Sequence, residues 1–149
     1  MHSILQCATV SIPEAREADL GLGYNFKSLE EIQPYLEPSG SGISSLWART
    51  TALKYDCTVA VGYPEKVESS RRRPSSPEYY NSLILVNGDG ETIANYRKSF
   101  LYYTDETWAL EGGGFFGGEV EDFGKVAMGI CRCPFPVALR TLTLYCSSS

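Results

Sequence analysis

The chain has 149 residues, 43% hydrophobic and 12% aromatic, with a formal net charge of -5. That length and apolar content suffice for one buried core and exclude a disordered tail. The acidic balance opposes a sequence-independent grip on nucleic acid, which needs a basic footprint against phosphates, and no apolar run approaches the roughly twenty residues of a membrane helix.

In chain order, residues 4–12, ILQCATVSI, are rich in β-branched and apolar side chains and read as a first strand ended by Pro13. The opening MHSILQCATVS has neither the basic start nor the sustained apolar stretch of a secretory leader. A cytoplasmic protein is therefore expected, with the five cysteines, Cys7, Cys57, Cys131, Cys133 and Cys146, reduced. Ser28 and Glu31 have the capping-box spacing, and Pro34 limits the helix they start to about two turns. A second helix follows, capped by Ser44 or Ser45, with Leu46, Thr50 and Leu53 on one face. Residues 57–63, CTVAVGY, are a nearly continuous apolar run, the pattern of a strand covered on both faces.

The arginines at 71–73 stand among serines and prolines and read as a solvated loop. Next, NSLILVN (81–87) and ETIANYR (91–97) form a hairpin, with Gly88, Asp89 and Gly90 supplying the positive φ angles of its turn. The run GGGFFGG (112–118) reads as a surface turn, and the strands EVEDF (119–123) and KVAMGI (125–130) meet at Gly124. Helices interleaved with strands and hairpins indicate an α/β layered domain with a mixed sheet.

Several chemistries lack their parts. His2 is the sole histidine and lies near a terminus expected to fray, so Ser-His-Asp and Cys-His systems have no base. Cys131, Cys133 and Cys146 lack the paired C-x-x-C of a structural zinc site, and no phosphate-binding or dinucleotide glycine pattern is present. No metal or cofactor is expected. What remains is a cysteine hydrolase that uses lysine and carboxylate in place of histidine. Cys131, directly after a buried apolar strand, is expected on a turn at the sheet edge, where its thiolate is the nucleophile. Lys98 would favour the thiolate and stabilise an oxyanion, while a carboxylate moves the protons. Composition and spacing leave the blander reading open: a cysteine after a strand is commonly a small buried hydrophobe, and a lysine ending a hairpin strand is commonly solvated.

The segments NYRKSFLYYTDE and GKVAMGIC decide more, because together they resemble the nitrilase, or carbon-nitrogen hydrolase, family. In that family a Tyr-Arg-Lys run carries the catalytic lysine and a Gly-x-Cys turn carries the nucleophile. Lys98 matches the first and Cys131 the second, and Glu106, eight residues beyond Lys98, matches an additional glutamate that positions substrate and supports the lysine. With GYNFKSLEEI, SGISSLWARTTALKYDCTVAVGYPEKV and YNSLILVNGDGETIANYRKSFLYYTDETWALEG, the resemblance runs from about Gly23 to Cys131. It implies an α-β-β-α sandwich, incomplete here, and hydrolysis of a carboxamide through a cysteine thioester without cofactor or metal. The implied substrates are protein or peptide N-termini bearing Asn or Gln, or a small amide. Two departures accompany it. The position of the family's first glutamate, the general base, falls on Ala18, with Glu17 one residue out and Glu14 farther away, and the residues after Cys131 do not follow the family. The chain therefore divides into a divergent segment (1–22), a partial hydrolase domain (23–131) and a divergent tail (132–149). The alternative reading is a non-catalytic nitrilase-like domain acting as an interaction module, either as a homo-oligomer or paired with a full-length relative.

Overall fold

The computed structural model describes residues 6–7, 26–68, 76–120, 124–132 and 140–147, with the backbone alone at 6–7, 131–132 and 140–147. Among these residues, β1 (Gln6–Cys7), β2 (Glu37–Pro38), β3 (Val59–Val67), β4 (Glu78–Val86) and β5 (Thr92–Arg97) form one sheet in the order β1-β3-β4-β5, with β2 also on β3. The two short strands run parallel to β3, and β3, β4 and β5 are antiparallel neighbours, so the sheet is mixed. The rest of the predicted first strand, residues 4–5 and 8–12, lies outside the described residues.

The apolar run expected to be covered on both faces is so covered. Val59, Val61 and Tyr63 of β3 meet a helix on one side, while Ala60 enters a second core on the other. The strand extends four residues past Tyr63, because β4 pairs with it as far as Val67 opposite Glu78. In the following hairpin only Gly90 has a positive φ, 77°. Gly88 and Asp89, to which the sequence also assigned positive φ, do not. Asn87 instead closes the turn, its N–H donating to Glu91 O at 2.9 Å and its carbonyl accepting from Gly90 N at 2.9 Å. Past the turn, Val86 pairs with Thr92 and Leu85 with Ala94, which leaves Ile93 as the extra residue of a bulge.

The first helix, α1 (Leu29–Ile32), continues as a 3-10 turn at Gln33–Tyr35 that contains Pro34. Ser28 Oγ accepts from Glu31 N as the capping box requires, but the Glu31 carboxylate accepts from Lys27 N, one residue upstream of the expected partner. Helix α2 (Ile43–Tyr55) has Gly42 at its N-cap, in place of the predicted Ser44 or Ser45. The cap comes from outside the helix: Glu37 takes the Ser44 N–H and the Ser44 hydroxyl on its two carboxylate oxygens, each at 2.9 Å. An anion at the positive end of a helix satisfies an orphan N–H and the macrodipole together. Gly42 is required because a Cβ there would collide with the Glu37 side chain.

The face of α2 marked by Leu46, Thr50 and Leu53 is not the one that meets the sheet. Ser44, Ser45, Ala48 and Ala52 lie against the sheet, whereas Leu46 and Leu53 are 67% and 61% exposed, and Thr50 is exposed with them. The sheet itself supplies the bulk, through Val61, Tyr63, Ile84 and Val86, so only small helix residues let the helix approach.

The second sheet is β6 (Phe116–Val120), β7 (Gly124–Arg132) and β8 (Arg140–Ser147), antiparallel in that order. β6 begins inside the glycine-rich run read as a surface turn, and residues 121–123 of the predicted EVEDF strand lie outside the described residues. β7 does not stop before Cys131, since its ladder with β8 runs from Lys125 opposite Ser147 to Arg132 opposite Arg140. The two sheets face each other across Ala60, Leu83, Leu85, Ala94 and Tyr96 on one side and Val120, Val126 and Met128 on the other. Full burial of each large side chain contributes on the order of 2 kcal/mol. The described layers are thus helix, sheet, sheet.

Candidate active site

Lys98 directly follows β5, on the parity of Ala94 and Tyr96, which face the second sheet. It is 5% exposed, and its Nζ donates to Asp105 Oδ2 at 2.5 Å, with both side chains almost wholly buried. A buried ammonium requires such a partner, because desolvation of either charge alone costs several kcal/mol. The loop after Lys98 returns to it: Gly112 N donates to Lys98 O and Leu110 N to Tyr79 O, each at 2.8 Å. Gly112 has no room for a Cβ, which would strike the backbone of Arg97.

Within this loop the chain makes a helical turn, with Glu106 N bonded to Tyr102 O and Ala109 N to Asp105 O. Residues three and four apart on such a turn share a face. Asp105, Trp108 and Ala109 accordingly point inward, where Trp108 and Ala109 pack on Ile32 of α1, and Glu106 is left exposed. The carboxylate on Lys98 is therefore that of Asp105, one residue before the Glu106 that the motif spacing indicated. Adjacent residues on a helical turn differ by about 100° in direction, so both cannot meet one ammonium. Asn81 was also missed. It shares the inward parity of Leu83 and Leu85, is 3% exposed, and donates from Nδ2 to Asp105 Oδ1 at 3.3 Å. A polar residue at a core position of an apolar strand was the available signal.

On the opposite face of the sheet, Arg97 is held by Glu65. Arg97 Nε and an Nη donate to the two Glu65 oxygens at 2.9 and 3.0 Å, with Ser82 Oγ and Asn95 Nδ2 donating at 2.6 and 3.2 Å. Burial pushes the Glu65 carboxyl upward, but the hydrogen bonds and charge of Arg97, with Ser82 and Asn95, outweigh it and hold the group below its usual value. The Tyr63 phenol, donating to Asn95 beside this cluster, is pushed up to about 12 chiefly by burial.

Of Cys131 the structure describes the backbone, which lies within β7 opposite Thr141 rather than on a turn beyond the strand. Its side chain, together with Glu14, Glu17 and Ala18, lies outside the described part. The site thus brings together Lys98 and Asp105 and leaves Glu106 at the surface. Among the described residues, no three His, Cys, Asp or Glu side chains converge as a metal site, and no helix is long and apolar enough to cross a membrane.

Comparison with known proteins places the chain in a family. The family model for carbon-nitrogen hydrolase matches residues 17–133. The protein N-terminal amidase of Schizosaccharomyces pombe is 38% identical over 112 residues, covering 73% of this chain and 38% of that protein. A solved N-terminal amidase with an Asn-Glu-Ala peptide superposes with a TM-score of 0.55 at 30% identity, over 79% of this chain and 26% of that one. Nit3 of Saccharomyces cerevisiae, from branch 10 of the nitrilase superfamily, shares the fold at a TM-score of 0.54 and 24% identity, over 70% of this chain and 37% of that one. The chain spans well under half the length of these relatives. A family match over most of the sequence, and a sandwich shared with solved members, show that the chain belongs to the carbon-nitrogen hydrolase family.

Proposed function

We propose that the chain carries amidase chemistry and releases ammonia from the side-chain carboxamide of an N-terminal Asn or Gln, through a thioester on Cys131. The observation that carries this reading is the buried Lys98–Asp105 pair at the end of β5, in a chain similar to N-terminal amidases. The thiol proton of Cys131 passes to a carboxylate base as sulfur attacks the amide carbon. The ammonium of Lys98 stabilises the resulting oxyanion, and the base returns its proton to the departing ammonia. Water then attacks the thioester, its proton passing through the same base to the cysteine sulfur, and the carboxylate product leaves. Glu14 and Glu17 are the candidates for that base, and exposed Glu106 is assigned to substrate positioning. The proposed setting is the cytoplasm.

The test is ammonia release from Asn-Glu and Gln-Gly peptides. Release by the chain that falls at least about a thousandfold in Cys131→Ala and Lys98→Ala supports the reading, by the scale of losses when a nucleophile or oxyanion group is removed. Equal release by Cys131→Ala would sink it. The second reading, a non-catalytic domain that self-associates or pairs with a full-length relative, draws on the exposed Ile43, Leu46 and Leu53 of α2. Size-exclusion chromatography separates the two: a purely monomeric chain, alone and mixed with the relative, defeats the pairing idea.

A further inference from the structure

The Lys98–Asp105 pair leaves one question of geometry, namely what aims the carboxylate. The terminal torsion of an aspartate is broad and roughly two-fold, so a carboxylate held at one oxygen alone rotates. Asp105 is held at both. Oδ2 accepts from Lys98 Nζ and from Tyr102 N at 3.2 Å, and Oδ1 accepts from Asn81 Nδ2 at 3.3 Å. Asn81 also grips the lysine directly, since its backbone carbonyl accepts from Lys98 N at 2.8 Å. An amide at a core position of β4, among Leu83 and Leu85, costs desolvation that only a partner offsets, and its partner here is the lysine's counterion.

We propose that Asn81 is a positioning residue: it fixes the plane of the Asp105 carboxylate and, through it, the place of the Lys98 ammonium. Its meaning for catalysis rests on the amidase reading, but its action on Lys98 is a property of the folded chain and is tested without substrate. β4 would then contribute to the site although none of its side chains is assigned to touch a reacting atom.

The experiment is competitive acetylation of the folded chain by N-hydroxysuccinimidyl acetate, read lysine by lysine by mass spectrometry, with Lys27, Lys54, Lys66 and Lys125 as internal references. Lys98 is expected to label slowest in the native chain. Asn81→Ala should speed Lys98 labelling about tenfold, the scale of one hydrogen bond to a charged group. Asp105→Asn should speed it at least as much, and Glu106→Gln should leave it at the native rate. Amide hydrogen exchange across β4 and β5, measured in parallel, should stay native in Asn81→Ala. An unchanged Lys98 rate in that variant overturns the proposal, as does an increase that appears only with collapsed β4–β5 protection. Should the native chain release ammonia, Asn81→Ala should lower kcat with KM retained. Should it release none, the amidase reading fails while the labelling result still decides the role of Asn81.

Discussion

At the scale of single residues, two ion pairs among the described residues reach into the interior: Lys98 with Asp105, both buried, and half-buried Arg97 with fully buried Glu65. The second has a pH signature. The Glu65 carboxyl is held below its usual value in the folded state, so the stability it contributes is fully present above the unfolded value near 4.5 and is lost as pH falls through the folded value. Glu65→Gln should cost about 2 kcal/mol at pH 7, a figure discounted because the Arg97 side chain is 35% exposed. In urea unfolding, the gap between the two proteins should narrow below pH 4.5; a gap independent of pH would contradict the assignment. Lys98 was legible in the sequence because the Tyr-Arg-Lys run marks it. Asp105 was not, because choosing between neighbouring acids requires the direction of a helical turn inside a loop that has no apolar period of its own. Glu65 gave no signal at all, since a glutamate between Pro64 and Lys66 reads as solvated until three donors are found around it.

At the scale of elements, α2 carries the clearest lesson. Its position was legible from residues 43–55, but its orientation was not, because apolar spacing marks a face without saying which partner it meets. The strands of the first sheet already fill the interface, so Ser45 and Ala48 face inward and the leucines face out. The Ser45 hydroxyl is buried with no hydrogen-bond partner among the described residues. Replacing it with alanine removes an unsatisfied polar group and improves helix propensity, so Ser45→Ala should stabilise the chain by about 1 kcal/mol in urea unfolding. A loss of stability would show that the hydroxyl has a partner. The capping of this helix was illegible for a related reason: the anion comes from Glu37, seven residues before Ser44, and reaches it only because β2 lies beside β3.

At the scale of the whole molecule, the described residues join the two sheets through an apolar seam. Leu85 is fully buried in it, whereas Ile93, at the bulge of β5, is 40% exposed. Leu85→Ala should cost about 3 kcal/mol through lost burial and a residual cavity, while Ile93→Ala should stay within about 0.5 kcal/mol. Thermal unfolding distinguishes these outcomes, and equal effects would deny that the seam lies where β4 faces β7. The layered α/β architecture was legible from strand and turn chemistry, and the family from two short motifs. The pairing of β8 with β7 was not foreseen, although its Thr and Leu residues alternate with the period of a strand over residues 141–144.

Arg97 and Lys98 are consecutive, and a strand sends consecutive side chains to opposite faces. Each has its acid on its own side: Glu65 on the strand parity of Val61 and Tyr63, which meet α2, and Asp105 beside Lys98, on the parity of Ala94 and Tyr96. If β5 slid one residue along β4, Arg97 and Lys98 would exchange faces, so neither cation would meet its own acid and at least one buried carboxylate would be left without a cation. The strand end therefore behaves as a two-bolt lock on alignment, in which neither bolt can be drawn without the other.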